Sequence, residues 1–357
     1  MLGKGESVSA QGVGGSPSGL QFGVEDLRGI MAFPPTPALP GAEGIRARDT
    51  VDLEETDRMI RSLMAAGVDG IVTNGTLGEM ATLTIDEWKT FVATVGETVR
   101  SVDRDFPIFV GATAMNTRET VERIDYVRSA GLRGVLLGRP MWSPMGLDTM
   151  TAFYQDVAAE FEDVSFILYD NPEVFKGPIP PPIYARLAQV PNIIGAKAQA
   201  ISPKFRADVT ASAGKLRILP IEIDWLATRT LFPDDQLACW SPSVMMGPEP
   251  LLFLRDALDA GDTEAARWVT DRMEWTYEAH PGRSNFAEFS KYNVPMEKLR
   301  YDAAGFVSAG PARAPYHVFP DSYREGAQEN AQRWRQVVAE VRGRAGAAAT
   351  DRDAVTA

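Results

Sequence analysis

The feature that most constrains the fold is an alternation of short β-rich runs with longer segments of helical period, which begins near residue 30 and continues for eight units. Repeated strand–helix units of this kind build a parallel sheet. Eight units without a glycine-rich dinucleotide fingerprint favour closure into a barrel over an open doubly wound sheet. The sequence therefore predicts an α/β protein built on a (β/α)8 TIM barrel. The predicted strands are residues 30–36, 70–74, 107–112, 134–138, 165–169, 193–197, 216–220 and 237–241.

Helix signals lie between these strands. Residues 52–66 place Ile60 and Leu63 at helical spacing and leave acidic side chains for solvent, which predicts an outer barrel helix. Thr84 and Glu87 lie three residues apart, the spacing of a capping box that satisfies free amides in the first turn of a helix.

Composition divides the chain into four parts. Residues 1–24 are rich in Gly and Ser without the apolar core of a secretory signal, and we expect a mobile N-terminal arm. Residues 25–260 form the predicted barrel, and residues 261–344 a C-terminal helical extension. Residues 345–357, rich in Ala, Gly and Thr, are expected to be a disordered tail.

Charge and hydropathy exclude several classes of partner. The 357-residue chain has a net charge of −12, whereas binding to a phosphate backbone needs clustered lysine and arginine. No apolar run approaches the length of about 18 residues that a membrane helix needs. We therefore expect neither nucleic acid nor membrane as a partner, and a small molecule as the substrate.

Cysteine and histidine are scarce. The single cysteine, Cys239, cannot form an intrachain disulfide, which fits the reducing cytoplasm. With only His280 and His317 in the chain, the usual nitrogen and sulfur ligand clusters cannot be assembled, so no metal is expected.

Polar residues at the ends of predicted strands are candidates for chemistry, because the reacting groups of such barrels lie at the C-terminal ends of the strands. Lys197 follows Ile193, Ile194, Gly195 and Ala196. Desolvation in this apolar setting would lower its pKa and leave a nucleophilic amine. The alternative is a buried lysine paired with a carboxylate.

Tyr169 ends the neighbouring predicted strand, one unit away from Lys197. Its phenol could reach the same cavity and move a proton between an imine and a substrate oxygen. The alternative is a core aromatic residue with a satisfied hydroxyl. After the second strand, the turn Gly75-Thr76-Leu77-Gly78-Glu79 could direct backbone amides at a carboxylate, although many such turns bind nothing.

Together, Gly75-Thr76-Leu77-Gly78-Glu79, Tyr169-Asp170-Asn171-Pro172 and Ile194-Gly195-Ala196-Lys197 resemble, in order and spacing, the dihydrodipicolinate synthase and N-acetylneuraminate lyase family of pyruvate-dependent aldolases. The resemblance covers roughly residues 28–305. It implies that Lys197 forms the Schiff base, that Tyr169 relays protons and that the Thr76 turn holds the pyruvate carboxylate. It also implies no external cofactor and a homo-oligomer, specifically a tetramer.

Two departures from the synthase pattern narrow the expectation. Leu77 stands where a second threonine is usual, and Asn171 comes one place later than the asparagine that usually follows the tyrosine. With Pro140-Met141-Trp142 and Phe289-Ser290-Lys291-Tyr292-Asn293, these changes resemble the hydratase-aldolases of polycyclic aromatic degradation. That subgroup cleaves trans-o-hydroxybenzylidenepyruvate or trans-2'-carboxybenzalpyruvate to an aromatic aldehyde and pyruvate. Of the two, we expect trans-2'-carboxybenzalpyruvate first and trans-o-hydroxybenzylidenepyruvate second.

The same resemblance suggests contacts for the rest of the substrate. Asn171 and Asn293 would hold water or a substrate oxygen. Trp142 and Trp240 offer flat faces for an aryl ring, although either could be ordinary barrel packing. Arg139 follows a strand end, where its cation could meet an aryl carboxylate; it could equally face solvent or form an ion pair.

Two alternative functions stay open at this stage. One is a synthase-like or sugar-acid aldolase with the same lysine chemistry and a polar aldehyde partner, against which Leu77 and the tryptophans argue. The other belongs to a different class: a barrel that binds a keto acid without catalysing a reaction, because a fold alone does not establish activity.

Overall fold

The computed structural model describes residues 20–281 and 285–356, the part from 345 onward by its backbone alone. Eight parallel strands pair in the order β7-β6-β5-β4-β3-β2-β1-β8. They are β1 (Gly29–Ala32), β2 (Gly70–Thr73), β3 (Ile108–Gly111), β4 (Gly134–Leu137), β5 (Ser165–Tyr169), β6 (Ile193–Lys197), β7 (Arg217–Leu219) and β8 (Ala238–Ser241). The prediction of a TIM barrel is confirmed.

The barrel closes between its last two strands. Beyond the end of β7, Ile221 and Trp240 form a parallel bridge, and the Trp240 amide donates to the carbonyl of Pro220 at 2.8 Å. At the other side, β8 pairs in register with β1. β1 ends at Ala32, four residues before its predicted end, because the next residues include Pro34 and Pro35, which have no amide hydrogen for a sheet ladder.

Helices alternate with the strands and continue after β8. They are α1 (Leu53–Ala66), α2 (Ile85–Val102), α3 (Thr117–Ser129), α4 (Leu147–Glu160), α5 (Pro172–Phe175), α6 (Pro181–Leu187), α7 (Pro203–Ser212), α8 (Trp225–Leu231), α9 (Glu249–Ala260), α10 (Thr263–Tyr277), α11 (Phe286–Ser290), α12 (Asn293–Ala304) and α13 (Asp321–Thr356). The capping box predicted from Thr84 and Glu87 is present at the start of α2. None of the helices in the described part has the length and apolar composition to cross a membrane.

Side chains of the strands divide into two cores. An inner core fills the barrel and includes Phe109, Ile167 and Leu219, whereas the alternate strand residues pack outward against the helices. Phe22 closes the N-terminal end of the barrel, with its ring centroid 5.5 Å from that of Phe109. Its carbonyl accepts a hydrogen bond from Ser165 at 2.7 Å. The end of the predicted arm is therefore packed from Leu20 onward, and residues 1–19 lie outside the described residues.

The predicted C-terminal helical extension consists of α10 to α13. α9 ends at Ala260, and the left-handed backbone of Gly261, with a φ of 71°, separates it from α10. α13 packs on α9, α10 and α12, and the indole of Trp334 donates to the carbonyl of Gly247 at 3.0 Å. The backbone of α13 continues through residues 345–356, most of the expected tail. The extension thus covers one side of the barrel and brings α12 to the C-terminal ends of the strands.

Candidate active site

A cavity of about 320 Å³ opens at the C-terminal ends of the strands. It brings together eight of the ten residues that the sequence singled out. They are Gly75, Thr76, Leu77, Tyr169, Asn171, Lys197, Trp240 and Asn293. The cavity is large enough for a ligand with one aromatic ring, and its lining combines aromatic faces with a few convergent polar groups.

Lys197 ends β6 and points its amine into this cavity. Its side chain is 7% exposed, and Nζ lies 3.5 Å from the ring centroid of Trp240 and 5.4 Å from that of Tyr169. Desolvation lowers the pKa of Lys197 to about 7, a shift that the negative charges of Asp170 and Glu222 oppose. Among the described residues no carboxylate forms an ion pair with this amine. The amine is therefore available as a nucleophile near neutral pH.

The hydroxyl of Tyr169 connects the turn after β2 with Asn171 through hydrogen bonds. Its hydroxyl lies 2.6 Å from Thr76 Oγ1 and accepts a hydrogen bond from the Thr76 amide at 3.3 Å. Asn171 donates to the same oxygen through Nδ2 at 3.2 Å. Asn171 stands at this distance because β5 ends at Tyr169 and the short helix α5 begins directly after Asn171. Three polar groups therefore fix the position of the phenol oxygen beside the lysine.

The turn after β2 brings Thr76 to the tyrosine. At Gly78, an added Cβ would lie 2.6 Å from the backbone of Asn74, so the turn needs glycine at this position. The Gly78 carbonyl accepts a hydrogen bond from Thr36 Oγ1 at 2.7 Å. The turn is thus fixed at Gly78, and its residues Gly75 to Gly78 line the cavity.

Trp240 and Asn293 line the cavity from opposite layers of the fold. The indole nitrogen of Trp240 donates to the carbonyl of Ala198 at 2.7 Å, which fixes the ring, and Phe33 packs edge-on against it with centroids 5.5 Å apart. Asn293 begins α12 in the extension, and its Oδ1 is buried without a hydrogen-bond partner among the described residues. A ligand or water that donates a hydrogen bond would satisfy this oxygen.

The structure corrects two of the expected contacts. Arg139 is buried and turned away from the cavity: its guanidinium donates to the carbonyls of Phe175 and Gly177 and lies 5.1 Å above the Phe175 ring. Trp142 is 79% exposed and does not line the cavity. A residue that follows a strand lies near the C-terminal end of the barrel, but the geometry of its loop decides whether its side chain faces the cavity.

Sequence reasoning missed most of the wall contributed by the extension. Tyr277, Phe286 and Glu297 come from α10, α11 and α12, and their contacts with the barrel are long-range. The only sequence signal was the motif around Phe289, which the resemblance included. Behind this wall Tyr277 donates to the fully buried Glu222 at 2.5 Å, and burial raises the pKa of that carboxyl group.

A desolvated lysine and a hydrogen-bonded tyrosine at adjacent strand ends of a TIM barrel define a class I, Schiff-base aldolase. Comparison with known proteins makes the assignment specific. The model of the dihydrodipicolinate synthetase family matches residues 27–215, and this chain belongs to that family.

Several relatives with 36–40% identity to this chain are hydratase-aldolases. A trans-o-hydroxybenzylidenepyruvate hydratase-aldolase from Pseudomonas aeruginosa is 40% identical over 314 residues, which cover 87% of this chain and 92% of that protein. A trans-2'-carboxybenzalpyruvate hydratase-aldolase from Nocardioides sp. is 37% identical and covers 87% of this chain and 93% of its own length. The solved structure of PhdJ bound to a substrate intermediate superposes with a TM-score of 0.85 at 38% identity, covering 88% of this chain and 97% of PhdJ.

Proposed function

We propose that the protein is a hydratase-aldolase that cleaves a benzylidenepyruvate to an aromatic aldehyde and pyruvate through a Schiff base on Lys197. The observation that carries the proposal is the Lys197 amine, held 3.5 Å from the Trp240 ring centroid with a pKa of about 7. At neutral pH an amine with this pKa is about half unprotonated, far more than a solvated lysine, and can attack a ketone. The similarity to the two hydratase-aldolases supports the choice of substrate.

The first step forms the imine and determines which group holds each proton in the later steps. Lys197 attacks the C2 ketone, and the Tyr169 hydroxyl protonates the departing hydroxide, which leaves a cationic iminium and a tyrosine phenolate. Hydrogen bonds from Asn171 and the Thr76 amide stabilise that phenolate. Water then adds at C4 while the phenolate takes its proton, and the resulting enamine regains a proton from Tyr169 at C3.

Cleavage uses the same two groups. The Tyr169 phenolate takes the proton of the C4 hydroxyl, the C3–C4 bond breaks, and its electron pair passes into the iminium of Lys197. Aromatic aldehyde leaves, and Tyr169 protonates the remaining enamine at C3. Water hydrolyses the iminium, returning a proton to Tyr169 and releasing pyruvate. Because the lysine is the electron sink, we propose that no external cofactor takes part.

The cavity wall favours an aryl partner over the polar aldehyde of a synthase or sugar-acid aldolase. Trp240, Ile221, Phe286 and Phe289 present apolar surface to the space beyond Lys197. A sugar or amino-acid aldehyde would place several polar groups against these apolar side chains, and each group that finds no hydrogen bond there costs binding energy.

For the aryl substituent, we propose a hydroxyl or hydrogen in preference to a carboxylate. Lys197 is the only lysine or arginine among the described residues that line the cavity, and Asp224 and Glu297 line it as carboxylates. Glu297 is already paired with the buried Arg300 at 2.6 Å. With Arg139 turned away, a second substrate carboxylate would meet no cation besides Lys197 among the described lining residues, which reverses the order expected from the resemblance. By family resemblance we also propose that the protein is cytoplasmic and forms a homotetramer. Light scattering of the purified protein would test the number of subunits.

The test follows the absorbance loss of conjugated o-hydroxy- and o-carboxybenzylidenepyruvate on mixing with enzyme. We expect turnover of both, with the higher kcat/KM for the hydroxylated compound, and none with Lys197→Ala. The exposed lysine variant Lys215→Ala is the matched control and should retain activity. Binding without absorbance loss would favour a non-catalytic keto-acid-binding barrel, and turnover by Lys197→Ala would reject the Schiff base.

A further inference from the structure

The carboxylate-binding turn ends in a residue that the proposed reaction does not use. Glu79 is fully buried in its side chain, and its backbone has a φ of 52°, in the left-handed region. Asn74, at the start of the turn, has the same φ of 52°. A residue other than glycine in this region costs on the order of 1 kcal/mol or more, and such strain persists only where the surroundings fix it. The turn therefore depends on contacts outside itself.

Two cations of the C-terminal extension supply those contacts. Lys298, on α12, donates to Glu79 Oε2 at 2.6 Å. Arg313, in the segment after α12, donates to Glu79 Oε1 through its backbone amide at 2.7 Å and to Oε2 through Nη1 at 2.5 Å. Both carboxylate oxygens are thus held, and all three side chains are at most 3% exposed.

The same cations also hold the segment after β1 that lies beside the turn. Lys298 and Arg313 each donate to the carbonyl of Thr36 at 3.3 Å, and the Thr36 hydroxyl donates to the Gly78 carbonyl. The network therefore contacts the turn at its last residue, Glu79, and at the carbonyl of Gly78. On the same helix, Asn293, five residues before Lys298, and Glu297, directly before it, line the cavity itself. The helix α12 therefore contributes both to the wall of the cavity, through Asn293, and to the network that holds the turn, through Lys298.

From this geometry we infer that Lys298 and Arg313 are positioning residues for substrate: acting through Glu79, they hold the Gly75-to-Gly78 turn in the conformation that receives the pyruvate carboxylate. The inference rests on the proposed function, because it assumes a carboxylate at this turn. Loosening the turn weakens carboxylate binding and leaves the Lys197 amine in place on β6. Because Thr76 also contacts the Tyr169 hydroxyl, a smaller loss that does not depend on a carboxylate accompanies it.

Lys298→Met tests the inference, because it removes one cation and leaves the Glu79–Arg313 pair intact. Schiff-base formation is measured by cyanoborohydride trapping on Lys197 over a range of pyruvate concentrations. We expect the half-saturating pyruvate concentration to rise about tenfold, the effect of losing one well-placed contact, with the maximal trapping rate changed less than about twofold. Acetone, a ketone without a carboxylate, should lose clearly less in Lys298→Met than pyruvate does, because only the Thr76–Tyr169 contact is then affected.

Arg272→Met is the matched control, since it removes an ion pair between α10 and α13 without touching the turn. It should leave the pyruvate curve unchanged, and thermal unfolding should show that both variants are folded. An unchanged pyruvate curve in Lys298→Met, or an equal loss with pyruvate and acetone, would overturn the inference. Failure of the unaltered protein to trap pyruvate would instead reject the proposed function.

Discussion

Lys197→Met is expected to stabilise the fold at and below neutral pH, although it removes the proposed nucleophile. Burial lowers the pKa of the Lys197 amine to about 7, from 10.5 in a solvated lysine. The folded chain therefore binds fewer protons at this site than the unfolded chain between about pH 7 and about pH 10.5, and stability rises with pH across that window. Below pH 7 the whole cost of burying the charge is present, and it disappears as pH approaches 10.5.

The size of the effect follows from the shift. At about 1.4 kcal/mol per pKa unit, the shift corresponds to a cost on the order of 5 kcal/mol. Methionine removes this cost but also loses the contact of the ammonium with the Trp240 ring, 3.5 Å away, worth about 1–2 kcal/mol. We therefore expect Lys197→Met to raise the free energy of unfolding by about 3 kcal/mol near pH 6, with a gain that falls steadily above pH 7.

Urea unfolding at several pH values between about pH 6 and about pH 9 measures both quantities. Lys215→Met, at an exposed lysine, is the control and should change stability little at any pH. A Lys197→Met variant that is no more stable than the unaltered protein near pH 6, or whose gain does not depend on pH, would refute the claim that this amine is desolvated.

Two further substitutions separate the remaining roles. Tyr169→Phe should lower kcat by about 10²–10⁴-fold, the usual contribution of a proton-transferring group, while trapping of pyruvate on Lys197 remains detectable; near-normal kcat would assign the proton transfer to another residue. Arg139→Ala should leave unchanged the ratio of kcat/KM for hydroxylated and carboxylated substrates, because its guanidinium faces the carbonyls of Phe175 and Gly177. A changed ratio would show that the side chain reaches the substrate.

The barrel and the Lys197–Tyr169 pair could be predicted because each depends on local sequence. An apolar run that ends in a polar residue places that residue at the active end of a parallel barrel, and neighbouring strands bring such residues together. Leu168 pairs with Ala196 and Tyr169 with Lys197 in the observed register, which puts the phenol and the amine on adjacent strand ends.

The features that sequence reasoning missed depend on contacts between distant segments. The expectation for Arg139 depends on its position after a strand, but hydrogen bonds to the loop around α5 turn its side chain away from the cavity. Glu79 and Lys298 are 219 positions apart, and nothing in either local sequence indicates that they form a buried ion pair. The aromatic wall from α11 likewise depends on how the extension folds back over the barrel.

The most direct test of the account is to incubate the protein with pyruvate and borohydride and to locate the reduced adduct by mass spectrometry. The account predicts one pyruvyl adduct, on Lys197, and none on the same peptide when Lys197→Ala is treated in parallel. Folded protein that gives no adduct, or an adduct on a different lysine, would contradict the assignment of Lys197 as the Schiff-base residue.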